Sequence, residues 1–223
     1  MHPNLDPEFA TRLLQLPTAD DNKYTRGTVG FITGSEKYPG AALLGINAAF
    51  ELGIGMVRYL GPEAVTNLVL SNRPEVVPGV ERAQVLVVGS GIADDELGVQ
   101  CGNLSRAADC GIPLVIDAGA MAIIDLTQLS ALAILTPHSA EAERLFRRLG
   151  HPRLRKDIEA NPQASAQELA DLTGKVVLLK GSISVIATTG HPPIESGPGS
   201  VHLATAGTGD VLAGMIGALA AKL

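Results

Sequence analysis

The 223-residue sequence has no tryptophan, and its three tyrosines and four phenylalanines make up only 3% of it. A protein that holds single-stranded nucleic acid by stacking needs a row of rings, so this composition argues against such a platform. Positive charge is scarce as well. Seventeen lysines and arginines against 23 aspartates and glutamates leave a net charge of −6, the wrong sign for a surface that holds a nucleic-acid backbone or an anionic membrane. There are two cysteines, Cys101 and Cys110, nine positions apart in a helix-like stretch. That spacing fits neither a paired-thiolate metal motif nor a disulfide framework, and reads as two reduced, buried thiols of a cytoplasmic protein. A long hydrophobic run is missing too. The most apolar segment, Ala41 to Leu60, is broken by Asn47, Glu51 and Arg58, too polar for an unpaired membrane span. Residues 1–16 carry prolines and acids where a secretory signal needs a basic start and an apolar core.

What is present is 46% hydrophobic residues in a length typical of one domain. Short β-branched runs alternate with helical stretches, the pattern of a mainly parallel sheet covered by helices, an α/β fold of three layers. The expected strands are Thr28–Thr33, Met56–Leu60, Val85–Val88, Leu114–Asp117, Ala133–Thr136 and Val176–Lys180. Their unbroken apolar character predicts burial on both faces. The expected helices are Ala41–Leu52, Glu63–Ser71, Glu96–Asp109, Ala140–Leu149, Gln163–Leu172 and Val211–Lys222. After Lys180 the rhythm changes: Ser184–Ala187, the Thr188-Thr189-Gly190 turn, Ile194 and Val201 predict a small antiparallel addition at the sheet edge. Arg147 to Asn161, the most polar internal stretch, reads as an exposed connection.

Open α/β sheets gather ligands beyond the carboxyl ends of their strands, and the loops there are the informative ones. Gly34 to Ala42 is a small-residue loop opening a helix. Val88-Gly89-Ser90-Gly91 is half of a dinucleotide fingerprint, equally readable as a tight turn. Thr136-Pro137-His138-Ser139-Ala140-Glu141 places His138 and Glu141 three apart at a helix start, where both can face one site or where Glu141 can simply favour the helix dipole. Ala204-Thr205-Ala206-Gly207-Thr208-Gly209-Asp210 precedes an apolar helix. Its glycines allow consecutive amides to turn inward as an anion hole, with Asp210 as a base; the alternative makes Asp210 an N-cap and the glycines a plain turn.

Six segments taken together resemble the ADP- or ATP-dependent NAD(P)H-hydrate dehydratases, a branch of the ribokinase-like small-molecule kinases. They are YPGAALL (Tyr38–Leu44), VGSG (Val88–Gly91), PLVIDAGAM (Pro113–Met121), LTPHSAEAERL (Leu135–Leu145), LLKGSISVI (Leu178–Ile186) and LATAGTGDVLAG (Leu203–Gly214), in the family's order. Small residues replace small ones where the family more often has Val-Gly-Pro-Gly-Leu-Gly, Pro-Gly for Ser139-Ala140 and Thr for Ser184. The resemblance implies a ribokinase-like α/β/α domain over 1–223, without the helices that usually follow the GTGD segment.

The resemblance further implies an adenine nucleotide at Lys180, Gly181, Ser182, Ile183, Ser184 and Gly209, and an anion hole at Gly207, Thr208 and Gly209. The hydrated nicotinamide dinucleotide would meet Ala41, Gly91, His138 and Asp210, with Asp210 catalytic. Glu141 would position Mg2+ through water. The implied activity is nucleotide-dependent dehydration of the S epimer of hydrated NAD(P)H in the cytoplasm, by a homo-oligomer linked functionally to a separate NAD(P)H-hydrate epimerase. His138 is also a candidate for taking the second proton. Two other readings compete: a vitamin-precursor or sugar kinase that releases a stable ester, and a non-catalytic nucleotide-binding remnant. His138 in Thr-Pro-His, where related kinases more often have Thr-Pro-Asn, favours the dehydratase over the kinase. Intact Lys180, Glu141 and Asp210 disfavour the remnant.

Overall fold

The computed structural model describes residues 8, 11, 14, 16–95, 98–129 and 131–223. Among them the β-branched runs assemble into one sheet. Its strands are β1 (Thr28–Ile32), β2 (Met56–Tyr59), β3 (Val77–Pro78), β4 (Val85–Val88), β5 (Leu114–Ile116), β6 (Ala133–Leu135), β7 (Val176–Leu179), β8 (Val185–Ala187) and β9 (Ile194–Glu195). Their order is β3-β2-β1-β4-β5-β6-β7-β8-β9. All pairings from β3 across to β7 are parallel, and β8 and β9 extend the sheet antiparallel.

The helices are α1 (Gly40–Glu51), α2 (Glu63–Asn72), α3 (Val99–Asp109), α4 (Ala120–Ile123), α5 (Ser139–Arg148), α6 (Arg155–Ala160), α7 (Pro162–Thr173) and α8 (Thr208–Ala220). Because successive strand side chains point to opposite faces, each central strand feeds two cores. On β4, Val85 and Val87 pack with residues of α1, α2 and α8, while Leu86 and Val88 pack with residues of α3 to α7. This is the expected three-layer α/β/α arrangement.

α8 lies unusually close to its neighbours. A side chain on Gly214 would bring its first carbon 2.2 Å from the Gly45 carbonyl oxygen of α1, and one on Gly217 would lie 2.2 Å from Val87 Cγ2 of β4. Glycines thus seat α8 between α1 and the sheet and fix where its amino end points.

From β1 the chain runs outward to β2 and β3, then crosses back to β4 on the other side of β1. The carboxyl ends of β1 and β4 therefore flank a switch point, where connecting loops part and leave a crevice. Gln100 closes its floor by donating to the carbonyls of Thr33 and Gly34 at 3.3 and 2.7 Å.

Several expectations need correction. Arg147 to Asn161 is not merely a connection: Arg155–Ala160 forms α6, because Ile158 finds a fully buried place under a turn whose Arg155 and Glu159 pair at 2.7 Å on the outside. Val201 joins no strand. It begins a 3-10 turn, Val201–Leu203, started by the Ser200 side chain accepting from the His202 amide. The thiols are not buried; Cys101 is half-buried and Cys110 exposed, since Cys110 caps the outer end of α3 and Cys101 lies on its flank. The helix expected from Glu96 is seen from Val99, and Glu96 and Leu97 lie outside the described residues. No helix among the described residues is long and apolar enough to cross a membrane.

Candidate active site

Most of the predicted residues lie beyond the carboxyl ends of β1, β4, β6 and β7 and at the start of α8. Gly91 follows β4 at φ +68, and a side chain on it would come 2.4 Å from Ala41 Cβ and 3.0 Å from the Tyr38 carbonyl oxygen. Ala41 and Gly91, 50 positions apart in sequence, are thus in close contact. Ser35 ties the same two loops together by donating to the Gly91 carbonyl at 2.8 Å.

α8 starts at Thr208, three residues earlier than its apolar run predicts, so Asp210 sits in its first turn. The N-cap is Gly207, in the left-handed region at φ +90, a conformation that a residue with a side chain adopts at a cost. The reading of Asp210 as the cap is therefore wrong. α8 has no side-chain cap, and the first amides of an α-helix lack intrahelical partners. The first-turn amides at Thr208, Gly209 and Asp210 are positioned to meet an anion with the dipole's positive end behind them. The Thr208 hydroxyl turns back to the Thr205 carbonyl at 3.0 Å.

Lys180, just beyond β7, reaches this place. Its ammonium would lie 3.3 Å from a side-chain carbon built on Gly209. It donates to Asp117 Oδ1 at 2.8 Å and stands 3.8 Å from Glu141 Oε2. Burial works against its charge, but Asp117 and Glu141 outweigh that and hold the lysine above its ordinary range. Asp117 is the site residue that sequence reasoning passed over. It lies buried at the end of β5, accepting from Ser90 at 2.9 Å and from Thr136 at 2.7 Å. Ala118, next along, is a non-glycine residue at φ +43, an unfavourable backbone that turns the chain sharply away after Asp117. The available signal was an aspartate closing the apolar run Leu114–Ile116 and followed two residues later by glycine.

His138 and Glu141 do face one another. His138 is the N-cap of α5, its Nδ1 accepting from the amides of Ala140 and Glu141 at 3.1 and 3.2 Å, while Glu141 Oε2 accepts from the His138 amide at 2.8 Å. Glu141 lies in the first turn of α5, where the helix dipole favours it, and the pair also forms a capping box that was not foreseen. With Nδ1 filled, the neutral ring carries its hydrogen on Nε2 and presents a donor. Burial pushes the Glu141 carboxyl above its ordinary value, and Lys180 opposes the shift.

Asp210 is pushed up to about 6, chiefly by burial and next by the negative charge of Asp117, with Lys180 pulling the other way. Such a carboxyl beside a cation and a set of amides can take a proton near neutrality while charge develops next to it.

Beyond Lys180 lies a cleft of about 460 Å³ lined by Ser139, Ile158, Glu159, Pro162, Leu179, Lys180, Gly181, Ser182 and Ile183. Its wall is braced by the following loop, where the Gly199 amide donates to the Ser182 carbonyl at 3.2 Å. Ser184 lies apart from the cleft lining, its amide donating to the Ser196 hydroxyl at 3.1 Å at the root of the β8–β9 hairpin.

Residues 29–222 match the model of the NAD(P)H-hydrate dehydratase family. The chain belongs to that family. Among curated relatives, the bifunctional NAD(P)H-hydrate repair enzyme of Mycobacterium tuberculosis is 40% identical over 217 residues, 93% of this chain and 43% of that protein. The chain thus spans less than half the length of that relative. The ADP-dependent (S)-NAD(P)H-hydrate dehydratase of Bacillus subtilis is 32% identical over 210 residues, covering 89% of this chain and 74% of the relative. A solved structure of the B. subtilis ADP/ATP-dependent NAD(P)H-hydrate dehydratase, co-crystallised with ATP and Mg2+, superimposes with a TM-score of 0.83 at 29% identity, covering 99% of this chain and 82% of that one. For a member of the NAD(P)H-hydrate dehydratase family, the ribokinase-like architecture foreseen from the six segments follows.

Proposed function

We propose that this chain dehydrates the S epimer of hydrated NAD(P)H at the expense of ADP or ATP. The observation that carries the reading is the meeting of Asp210, the uncapped first turn of α8 and Lys180 at one point. Family membership supplies the substrate class, and the names of the B. subtilis relatives support the nucleotide. Hydration leaves a hydroxyl on the ring carbon beside the ring nitrogen, and hydroxide is a poor leaving group. Asp210 takes the hydroxyl proton as the oxygen attacks the terminal phosphorus of the nucleotide, which departs one phosphate shorter. The amides of α8 and the Lys180 ammonium stabilise the charge on the phosphoryl oxygens as it moves. The ring nitrogen lone pair then breaks the carbon–oxygen bond and expels phosphate, and loss of a proton from the neighbouring carbon restores the dihydronicotinamide.

In this reading His138 Nε2–H donates a hydrogen bond to the dinucleotide; with Nδ1 occupied, it does not serve as the acceptor of the second proton. Gly91 and Ala41 let the substrate approach the loop backbone. A magnesium ion fits the donors present in only one manner. Among the described residues no three histidine, cysteine or acidic side chains cluster as a cage, whereas Mg2+ bound with its waters needs one or two carboxylates plus phosphate oxygens. Glu141 would hold it through water, and the ion would supply neutralisation of the nucleotide's phosphates. The bifunctional relatives, more than twice the length matched here, support an NAD(P)H-hydrate epimerase as the functional companion.

The deciding experiment follows products. Supplied with magnesium, hydrated NADH and ADP or ATP, the protein should regain dihydronicotinamide absorbance with an equal amount of inorganic phosphate. A stable phosphate ester formed from hydroxymethylpyrimidine, hydroxyethylthiazole or ribose, with no action on the hydrate, would overturn the reading in favour of a kinase.

A further inference from the structure

The cleft beyond Lys180 combines polar and apolar walls. Its lining includes Lys180, whose ammonium faces the first turn of α8, together with Ser139, Glu159 and the apolar side chains of Ile158, Pro162, Leu179 and Ile183. A nucleotide held with its phosphates at Lys180 and α8 and its base against the apolar walls has its sugar between the two. Glu159 lines the cleft bonded to Ser139, which follows His138, the bridge partner of Lys180. Its Oε1 is fixed from two sides, by the Ser139 hydroxyl at 2.7 Å and by Arg155 Nε at 2.7 Å. These two donors keep the carboxyl below its ordinary pKa, so it is an ionised acceptor. An anion lining the cleft repels phosphoryl groups and accepts from neutral donors such as sugar hydroxyls.

We propose that Glu159 is a specificity-determining residue, its carboxylate accepting hydrogen bonds from the ribose hydroxyls of an adenine nucleotide lodged in this cleft. The inference rests on the nucleotide-dependent reading above and sharpens it. Ribonucleotides are then preferred over deoxyribonucleotides because loss of a hydroxyl leaves the carboxylate without that donor. Arg155 and Ser139 act as positioning residues that hold the carboxylate in place.

The test measures calorimetric affinities of ADP, 2′-deoxy-ADP and 3′-deoxy-ADP for the full chain, for Glu159→Gln, and for Ile183→Asp on the apolar wall. A hydrogen bond to a charged group predicts that wild type binds ADP about ten- to a hundredfold more tightly than at least one deoxy analogue. In Glu159→Gln that ratio should fall to within about threefold, mainly through weaker ADP binding. Ile183→Asp should weaken all three ligands alike. An unchanged ribose ratio in Glu159→Gln, with ADP binding still sensitive to Ile183→Asp, would overturn the role of Glu159 and leave the nucleotide cleft standing. ADP affinity indifferent to both substitutions would overturn the cleft assignment and the role of Glu159 together.

Discussion

Asp117 Oδ1 accepts from Lys180 Nζ at 2.8 Å across 63 positions of sequence, and the Asp117 side chain is nearly inaccessible to solvent while the lysine's is 18% exposed. The pair holds the cation in front of α8 before any ligand arrives. Asp117→Ala removes its main partner, takes away the acceptor of the Ser90 hydroxyl and leaves the Thr136 hydroxyl only the longer bond to the Ile116 carbonyl at 3.4 Å. Breaking a buried pair costs ~3–5 kcal/mol when the other charge is left alone; Glu141 at 3.8 Å from Lys180 should keep the loss toward the lower end. Urea unfolding measures it. A stability within ~1 kcal/mol of wild type would show that the pair does not hold the site together.

Asp210→Asn keeps the shape and removes the base. Turnover of the hydrate should fall about 10²- to 10⁴-fold with nucleotide affinity little changed. More than about a tenth of wild-type activity would dismiss Asp210 as the base.

The pH dependence has a definite sign. Because the Asp210 carboxyl is raised to about 6, its proton-accepting form is lost as pH falls through that value, and kcat/KM should drop on the acid side and level off above it. For stability the same shift runs the other way: folding favours the protonated carboxyl, so this residue's contribution declines as pH rises from the unfolded value toward 6. A rate profile flat from pH 5 to 8 in about equal steps of buffer would contradict the assignment.

Glu141→Gln separates two roles. The amide oxygen can still accept from the His138 amide and complete the α5 cap, so stability should stay within ~1 kcal/mol of wild type. The charge facing a water-held magnesium ion disappears, so the Mg2+ concentration for half-maximal rate should rise about tenfold or more. An unaltered magnesium requirement would remove Glu141 from the ion's surroundings.

Two glycine substitutions in helices should move stability in opposite directions. At Gly102 in α3 an added carbon meets nothing within 4 Å, and Gly102→Ala should stabilise by ~0.5–1 kcal/mol through helix propensity. At Gly214 the same carbon would meet the Gly45 carbonyl oxygen at 2.2 Å. No rotamer relieves a backbone contact, so Gly214→Ala should destabilise by ~1–3 kcal/mol despite the better propensity. Thermal melts of the two variants compare them directly.

The six central strands were legible from continuous apolar runs: Val85–Val88 is buried on both faces, and Val176–Leu179 is apolar throughout although only one of its faces is fully buried. β3, two exposed residues, writes no such run, and α4 is a single turn. α6 escaped because one buried isoleucine among charged residues has no periodicity to read. At the site, the Gly207–Asp210 segment and the His138–Glu141 spacing were visible as local patterns. The use of Asp117 was not, since a strand-ending aspartate looks like a turn residue until the fold brings Lys180 to it. Glu159 belongs partly to the same class: Arg155 stands four residues before it on α6, but Ser139 lies 20 positions away, and that adjacency exists only after folding.

The seating of α8 also bears on the order in which the molecule can be completed. Ala213, Ala218 and Ala221 belong to the core formed by α1, α2 and the first strands, yet they follow every strand in the chain. As the polypeptide is synthesised from its amino end, at ~5–20 residues per second, the apolar sides of α1 and β4 wait without their cover until residues 208–220 have emerged. That face of the first-made strands therefore stays open until α8 is made, and nascent chains halted before Thr208 should expose it to chaperones.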